Sequence, residues 1–268
     1  MKLRMLSKGP IKMAVVAAVS ATLAGGAFAF ASGVAPQWQN PAGSQPPNLS
    51  QVETQIKHYY GGSDTATSYS ENSDWYKDVS KTIGDAKNYL SYRLGGKPAK
   101  PALVLDVDDT SEVTFNLEVA QQFGYNSAVW EKAIDDNAFD AIKPVRQLEQ
   151  YADAHGVTVF YITGRPEHQR AATVNDLTSQ GYTQLDHLYL KPESGQPWPS
   201  YIHCKSATCT TDEYKSYTRA YLQSQGYDIL LNIGDQYSDL SCPDGSNKTS
   251  CDHADRPIKL PNPMYFLP

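Results

Sequence analysis

Apolar and polar positions change period repeatedly between residues 48 and 240, and the changes mark out elements. Residues 49–60 read as a short helix ended by Gly61-Gly62. Residues 74–94 place Trp75, Val79, Ile83, Ala86 and Leu90 at three- and four-residue steps, the single stripe of a packed helix. Ser73 is positioned to cap its start, and Gly95-Gly96 to stop it. Residues 102–105 (Ala-Leu-Val-Leu) form a short continuous apolar run, the signature of a strand buried on both faces. A mixed region follows, with a helix predicted near 128–134.

Beyond it, strand and helix patterns alternate. A helix opens at Pro144 and runs to His155, a strand covers 157–163, and a helix covers 167–180 before Gly181. A third strand is predicted at 187–190. Thr210 to Glu213 has the spacing of a capping box for a helix running to Gln225, and a fourth strand lies at 228–233. This order predicts an α/β fold: a parallel sheet flanked by helices on both faces, with an N-terminal helical extension. The segment 111–139 is too short for a large separate domain, so only a small cap is expected.

Composition changes the picture mainly at the ends. Lys2, Arg4, Lys8 and Lys12 precede an almost wholly apolar or small-residue stretch from Met13 to Phe30. Small residues at Ala27, Ala29 and Ala31 suit cleavage, so 1–31 read as a secretory signal peptide and not a lasting membrane anchor. Residues 32–47, rich in Pro, Gln, Asn, Ser and Gly, read as a flexible linker, leaving 48–268 as one domain. Losing the leader removes four positive charges and takes the formal net charge from −6 to −10. So acidic a chain has no general attraction for duplex nucleic acid or anionic membranes, and an anionic substrate must be held by local cations. The four cysteines, Cys204, Cys209, Cys242 and Cys251, suit disulfides in an exported protein. Pairing Cys204 with Cys209 and Cys242 with Cys251 closes two short polar loops. Their spacing fits no common zinc pattern.

The candidate chemistry gathers at strand ends. Asp106-Val107-Asp108-Asp109-Thr110 follows the first strand, Thr163-Gly164-Arg165 the second, and Gly234-Asp235 with Asp239 the fourth; Lys215 lies early in the capped helix. Parallel strands put these ends on one side of a sheet. Asp106 and Asp108, two apart in an extended segment, point the same way and suit a nucleophile and an acid/base. Carboxylates this close call for a hard divalent cation such as Mg²⁺. Thr163, the Gly164 backbone and Lys215 offer donors and charge to phosphoryl oxygens, as phosphoryl transfer requires.

At these positions the chain resembles the haloacid dehalogenase (HAD) superfamily of phosphohydrolases. The four segments around Asp106, Thr163, Lys215 and Asp235 look like its four motifs in order. Residues 161–170 and 214–236 are similar over longer stretches to the secreted acid phosphatase branch (class B, vegetative storage protein-like and bacterial outer-membrane lipoprotein phosphatases). The resemblance covers most of 48–240 and implies a HAD-like Rossmannoid fold. It also implies Mg²⁺ held by Asp106, the Asp108 carbonyl and Asp235 with Asp239 in support, Asp106 as nucleophile, and Asp108 as acid/base. A secreted Mg²⁺-dependent phosphomonoesterase acting on small phosphate esters is therefore expected. The lipidated cysteine of the lipoprotein members is missing here, and the cysteine loops lie outside the motifs.

Other readings of the same residues are weaker. A calcium loop needs Gly at its sixth position and Glu at its twelfth, where this chain has Ser111 and Leu117. A non-catalytic storage or binding protein on the same fold would not need the full set of Asp106, Asp108, Thr163, Lys215 and Asp235. A phosphotransferase differs only in the acceptor of the phosphoryl group. Asp109 is expected mainly to order its loop, Lys205 is the second choice as a phosphate ligand, and Arg165 suits either substrate or loop. Tyr125, Trp130 and Tyr237 lie nearest the site in sequence and are candidates to grip an aromatic leaving group.

Overall fold

The computed structural model describes residues 46–206, 208–241 and 253–267. The expected signal peptide and most of the expected linker, together with Cys242 and Cys251, lie outside the described residues. The domain opens with two helices, α1 (Leu49–Gly61) and α2 (Asp74–Leu94). The Ser73 side chain caps α2 by accepting the Tyr76 N–H, and its five stripe residues are all at most 4% exposed. Burying each of Val79, Ile83 and Leu90 stabilises the fold by about 1.5–3 kcal/mol. Tyr60 of α1 stacks between Trp75 and Phe115, with ring centroids 4.6 Å away on each side.

Among the described residues the sheet contains five parallel strands in the order β5-β4-β1-β6-β7. They are β1 (Pro101–Leu105), β4 (Thr158–Pro166), β5 (Leu188–Lys191), β6 (Asp228–Gly234) and β7 (Pro257–Lys259). Central strand β1 pairs Leu103 with Val159 of β4 and with Leu231 of β6. Successive side chains of a strand leave on opposite faces. Leu103 and Leu105 accordingly join a core with α1, α2, α5 (Lys143–Ala154) and α6 (Arg170–Ser179). Ala102 and Val104 join a second core with Tyr214 and Leu222 of α7 (Thr211–Ser224). Both faces of β1 are covered, which explains its unbroken apolar run.

A short antiparallel ribbon, β2 (Glu112–Val113) with β3 (Asp140–Ala141), bounds a small cap. The cap holds α3 (Phe115–Ala120) and α4 (Ser127–Asp135), with Asn126 capping α4, and has its own cluster of Ala133, Ile134 and Phe139.

Outside the mixed region, where β2, α3 and β3 were not expected, three elements differ from the sequence expectation. β4 extends past residue 163 to Pro166, where it pairs irregularly with Lys191, so Thr163-Gly164-Arg165 lie inside the strand's last turnless stretch. The helix expected from 167 begins as a tight 3₁₀ turn, Glu167–Gln169, after the extended Pro166, and becomes α-helical only at Arg170. Strand β7 was not expected, because three residues between prolines carry no periodic signal.

Candidate active site

Backbone pairing continues past β1. The Asp106 N–H donates to the Ile233 carbonyl at 3.1 Å, which brings the first loop beside Asp235 at the end of β6. The Asp106 carbonyl accepts from Ser111 Oγ at 2.6 Å, and the Val107 carbonyl accepts the N–H groups of Ser111 and Glu112. The loop is thus folded on itself. Its reversal falls at Asp109, which takes the left-handed φ of 52°. Asp109 holds that conformation through three bonds: Thr114 N–H at 3.0 Å, Thr114 Oγ1 at 2.5 Å and the Tyr265 hydroxyl at 2.8 Å. Asp109 therefore orders the loop, the role expected for it.

One carboxyl oxygen from each of Asp106, Asp235 and Asp239 lies within 4.8 Å of the other two, and all three residues are buried. Lys215 reaches this cluster from the second turn of α7. Its Nζ donates to Asp106 Oδ1 and to Asp239 Oδ1, each at 2.5 Å. The helix start is held by the expected capping box, with Thr210 and Glu213 each satisfying the other's backbone N–H. Glu213 also accepts the Lys205 N–H at 3.0 Å, and a Cys204–Cys209 disulfide closes that loop. Lys205 itself is exposed, whereas Lys215 is 4% exposed, so geometry separates the two candidate lysines.

Gly234 precedes Asp235 because nothing larger fits: a Cβ there would overlap the Asp239 side chain. Asp239 Oδ2 accepts the Gln236 N–H at 2.8 Å, closing the turn after β6. Asp239 is thus a member of the carboxylate cluster itself. Asp235 accepts from Thr110 Oγ1 at 3.2 Å on Oδ1, and from Gln236 Nε2 at 2.7 Å and Asn262 Nδ2 at 2.8 Å on Oδ2.

Asp108 takes a different partner from Asp106. The Arg165 guanidinium grips it, with Nη2 at 2.7 Å from Oδ1 and Nε at 3.2 Å from the same oxygen. Arg165 also donates to Glu112 Oε2 at 2.7 Å and Thr173 Oγ1 at 3.2 Å. Arg165 is nearly fully buried, whereas the Asp108 side chain is 22% exposed. Thr163 is buried, and its Oγ1 accepts the Arg165 N–H at 3.1 Å, leaving the hydroxyl hydrogen to donate elsewhere. Gly164 is exposed, and a Cβ there would meet nothing within 4 Å, so internal packing does not call for glycine.

Electrostatics match this crowding. Burial pushes the Asp106 carboxyl well above the usual range; Lys215 opposes it, and Asp239, Asp235 and Asp108 add to it. Burial, joined by Asp239 and Asp109, lifts Asp235 to about 7. Burial pulls the Lys215 ammonium downward, but Asp106 and Asp239 more than offset it and hold it charged. One ammonium does not neutralise three buried carboxyls. A hard divalent cation fits the all-oxygen donor set and the surplus negative charge.

Sequence reasoning did not find Glu112, Thr114, Asn262 or Tyr265. Each sits outside the strand-end segments, and only Asn262-Pro263, a turn signal, carries any local mark. Of the aromatic candidates, Tyr125 is 80% exposed and Tyr237 39%, while Trp130 lies against Phe139.

Comparison with known proteins adds the family. A sequence profile of the HAD superfamily, subfamily IIIB (Acid phosphatase), matches residues 42–268. Acid phosphatase 1 of Solanum lycopersicum is 28% identical over 198 residues, which cover 71% of this chain and 68% of its own. Vegetative storage protein 1 of Arabidopsis thaliana is 27% identical over 207 residues, 75% of this chain and 68% of its own. The class C acid phosphatase from Bacillus anthracis shares the fold, with a TM-score of 0.59 at 22% identity over 82% of this chain and 87% of that one. The profile match spans the whole described domain, and on it this chain belongs to the HAD superfamily, subfamily IIIB, the acid phosphatases.

Proposed function

We propose that this acid phosphatase is an exported, Mg²⁺-dependent phosphomonoesterase that works through an aspartyl-phosphate on Asp106. The observation that carries the reading is the buried cluster of Asp106, Asp235 and Asp239 with Lys215 Nζ 2.5 Å from two of them. In the first step an Asp106 carboxylate oxygen attacks phosphorus. The bond to the ester oxygen breaks, and the leaving alkoxide takes its proton from Asp108. In the second step Asp108 accepts a proton from water, whose oxygen attacks phosphorus and releases phosphate and free Asp106. Arg165 holds Asp108 in place for both transfers.

Two anions must meet in the first step. Lys215 supplies a fixed positive charge, and the Thr163 hydroxyl and the open Gly164 backbone supply a rim for phosphoryl oxygens. Asp106, the Asp108 carbonyl and Asp235 would hold the cation, with Asp239 beside them. When bound, it would offset the charge of the nucleophile and the phosphoryl group. A general acid that must arrive protonated favours an acidic optimum. Export is supported by the leader pattern of residues 1–31 and by the Cys204–Cys209 bridge. Among the described residues no helix is long and apolar enough to cross a membrane.

The test is turnover of a chromogenic phosphate ester. Asp106→Asn is expected to abolish it, and chelation to silence the unsubstituted enzyme until Mg²⁺ returns. Full activity of Asp106→Asn would end the covalent route. Binding of Mg²⁺ without any turnover, across a panel of nucleotides and sugar phosphates, would favour the storage reading instead.

A further inference from the structure

The C-terminal segment, residues 261–267, touches both acidic loops at once, and no motif assigns it a role. Asn262 Nδ2 donates to Asp235 Oδ2 at 2.8 Å, and the Tyr265 hydroxyl donates to Asp109 Oδ2 at 2.8 Å. The segment is anchored at both ends. The Pro261 carbonyl accepts Trp75 Nε1 at 3.1 Å, and the Leu267 N–H donates to Gln236 Oε1 at 3.2 Å. Met264 is 8% exposed in the main core.

The orientation of the Asn262 amide is decided by its second bond. Its Oδ1 accepts the Met264 N–H at 2.8 Å, so the nitrogen must face Asp235. The consequence for Asp235 follows from counting lone pairs. Oδ2 accepts two amide donors, Gln236 Nε2 and Asn262 Nδ2, and both of its acceptor sites are filled. Among the described residues Oδ1 receives only Thr110 Oγ1, at 3.2 Å, and keeps a lone pair for another partner. Asn262 and Gln236 together thus hold Oδ2 and leave Oδ1 as the Asp235 oxygen with room for a further partner.

We propose that the C-terminal segment is a strap that prearranges the cation site, with Asn262 as the positioning residue for Asp235 and Tyr265 as the positioning residue for the Asp109 loop. This rests on the proposed cation role of Asp235. Partners that hold a ligand carboxylate in one orientation commonly change metal affinity by about 10–100-fold when removed. Asn262 and Tyr265 would act through Asp235 and Asp109, without touching the substrate.

Full-length protein carrying Asn262→Ala or Tyr265→Phe tests it, with Mg²⁺ alone as the probe. Two readouts are taken against Mg²⁺ concentration: the rise in melting temperature without substrate, and phosphatase rate. Asn262→Ala is expected to raise the half-saturating Mg²⁺ at least about tenfold in both, with kcat returning to within a few-fold at saturation. Tyr265→Phe keeps the half-buried ring and leaves Asp109 its two Thr114 bonds, so the same shift is expected with a smaller size. Should Asn262→Ala not fold, Tyr265→Phe decides. Unchanged half-saturation in the variants overturns the strap, as does a loss of kcat that no Mg²⁺ concentration restores. An unsubstituted chain with no Mg²⁺ response in either readout sinks the cation role itself, and the strap with it.

Discussion

Replacing Lys215 with Met removes the ammonium that bridges Asp106 and Asp239 while keeping a side chain of similar length. Each Lys215 ion pair, at 2.5 Å, carries a gross attraction of about 7 kcal/mol at an effective dielectric of roughly 20. Burying the charges cancels most of that gain. What the substitution exposes is the remainder: buried carboxylates without their cation, a loss of about 3–5 kcal/mol. Against a total stability of about 5–15 kcal/mol, that is a large fraction. The penalty depends on pH with a defined sign. Burial and mutual repulsion already hold Asp106 above its ordinary range, and the substitution removes the opposing Lys215 contribution. A carboxyl whose folded pKa lies above its unfolded value destabilises fully at pH above the folded pKa, and the penalty fades as pH falls toward the unfolded value. Urea unfolding at about pH 7.5 and about pH 5 is the assay, and Lys215→Met is expected to lose less at the lower pH. A variant with the wild-type midpoint and slope at neutral pH would refute the claim that Lys215 holds the cluster together.

Two further predictions follow from single positions. Gly234→Ala drives a Cβ into Asp239, so it is expected to cost about 1–3 kcal/mol and to abolish phosphatase activity. Unaltered kinetics would show that Asp239 has room to move. Burial pushes Glu118, 5% exposed in the cap, up to about 7 from 4.5. Between those two values the folded chain keeps a proton the unfolded chain has lost, so this group's contribution to stability falls as pH rises. Glu118→Gln removes that dependence. Discounted for the water that still reaches the carboxyl, it is expected to gain about 1–2 kcal/mol at neutral pH and nothing near about pH 4. Thermal melts of both proteins across that window check it, and parallel curves would exclude Glu118 as the source.

How much was legible in the chain follows from the range of the interactions. Local periodicity marked out α1, α2, α5, α7 and the central strands, because a helical stripe or a doubly buried strand must be written in consecutive residues. The capping residues Ser73, Thr210 and Glu213 were legible for the same reason: each acts within one helical turn. Parallel topology was sufficient to bring Asp106 and Asp235 to one edge, since all C-terminal strand ends share a side, and Lys215 joins them from the start of α7. Side-chain partners were not legible. Asp106 and Asp108 share a segment, yet one turns to Lys215 and the other to Arg165, because those partners arrive from different elements, α7 and β4. Arg165 was equally consistent with substrate or loop until Glu112 and Thr173 were placed around it. Asn262 and Tyr265 reach their targets across 27 and 156 residues of chain. Contacts at that separation leave no periodic trace; they exist only once the sheet and its helices have folded the distant C-terminal segment against the loops it serves.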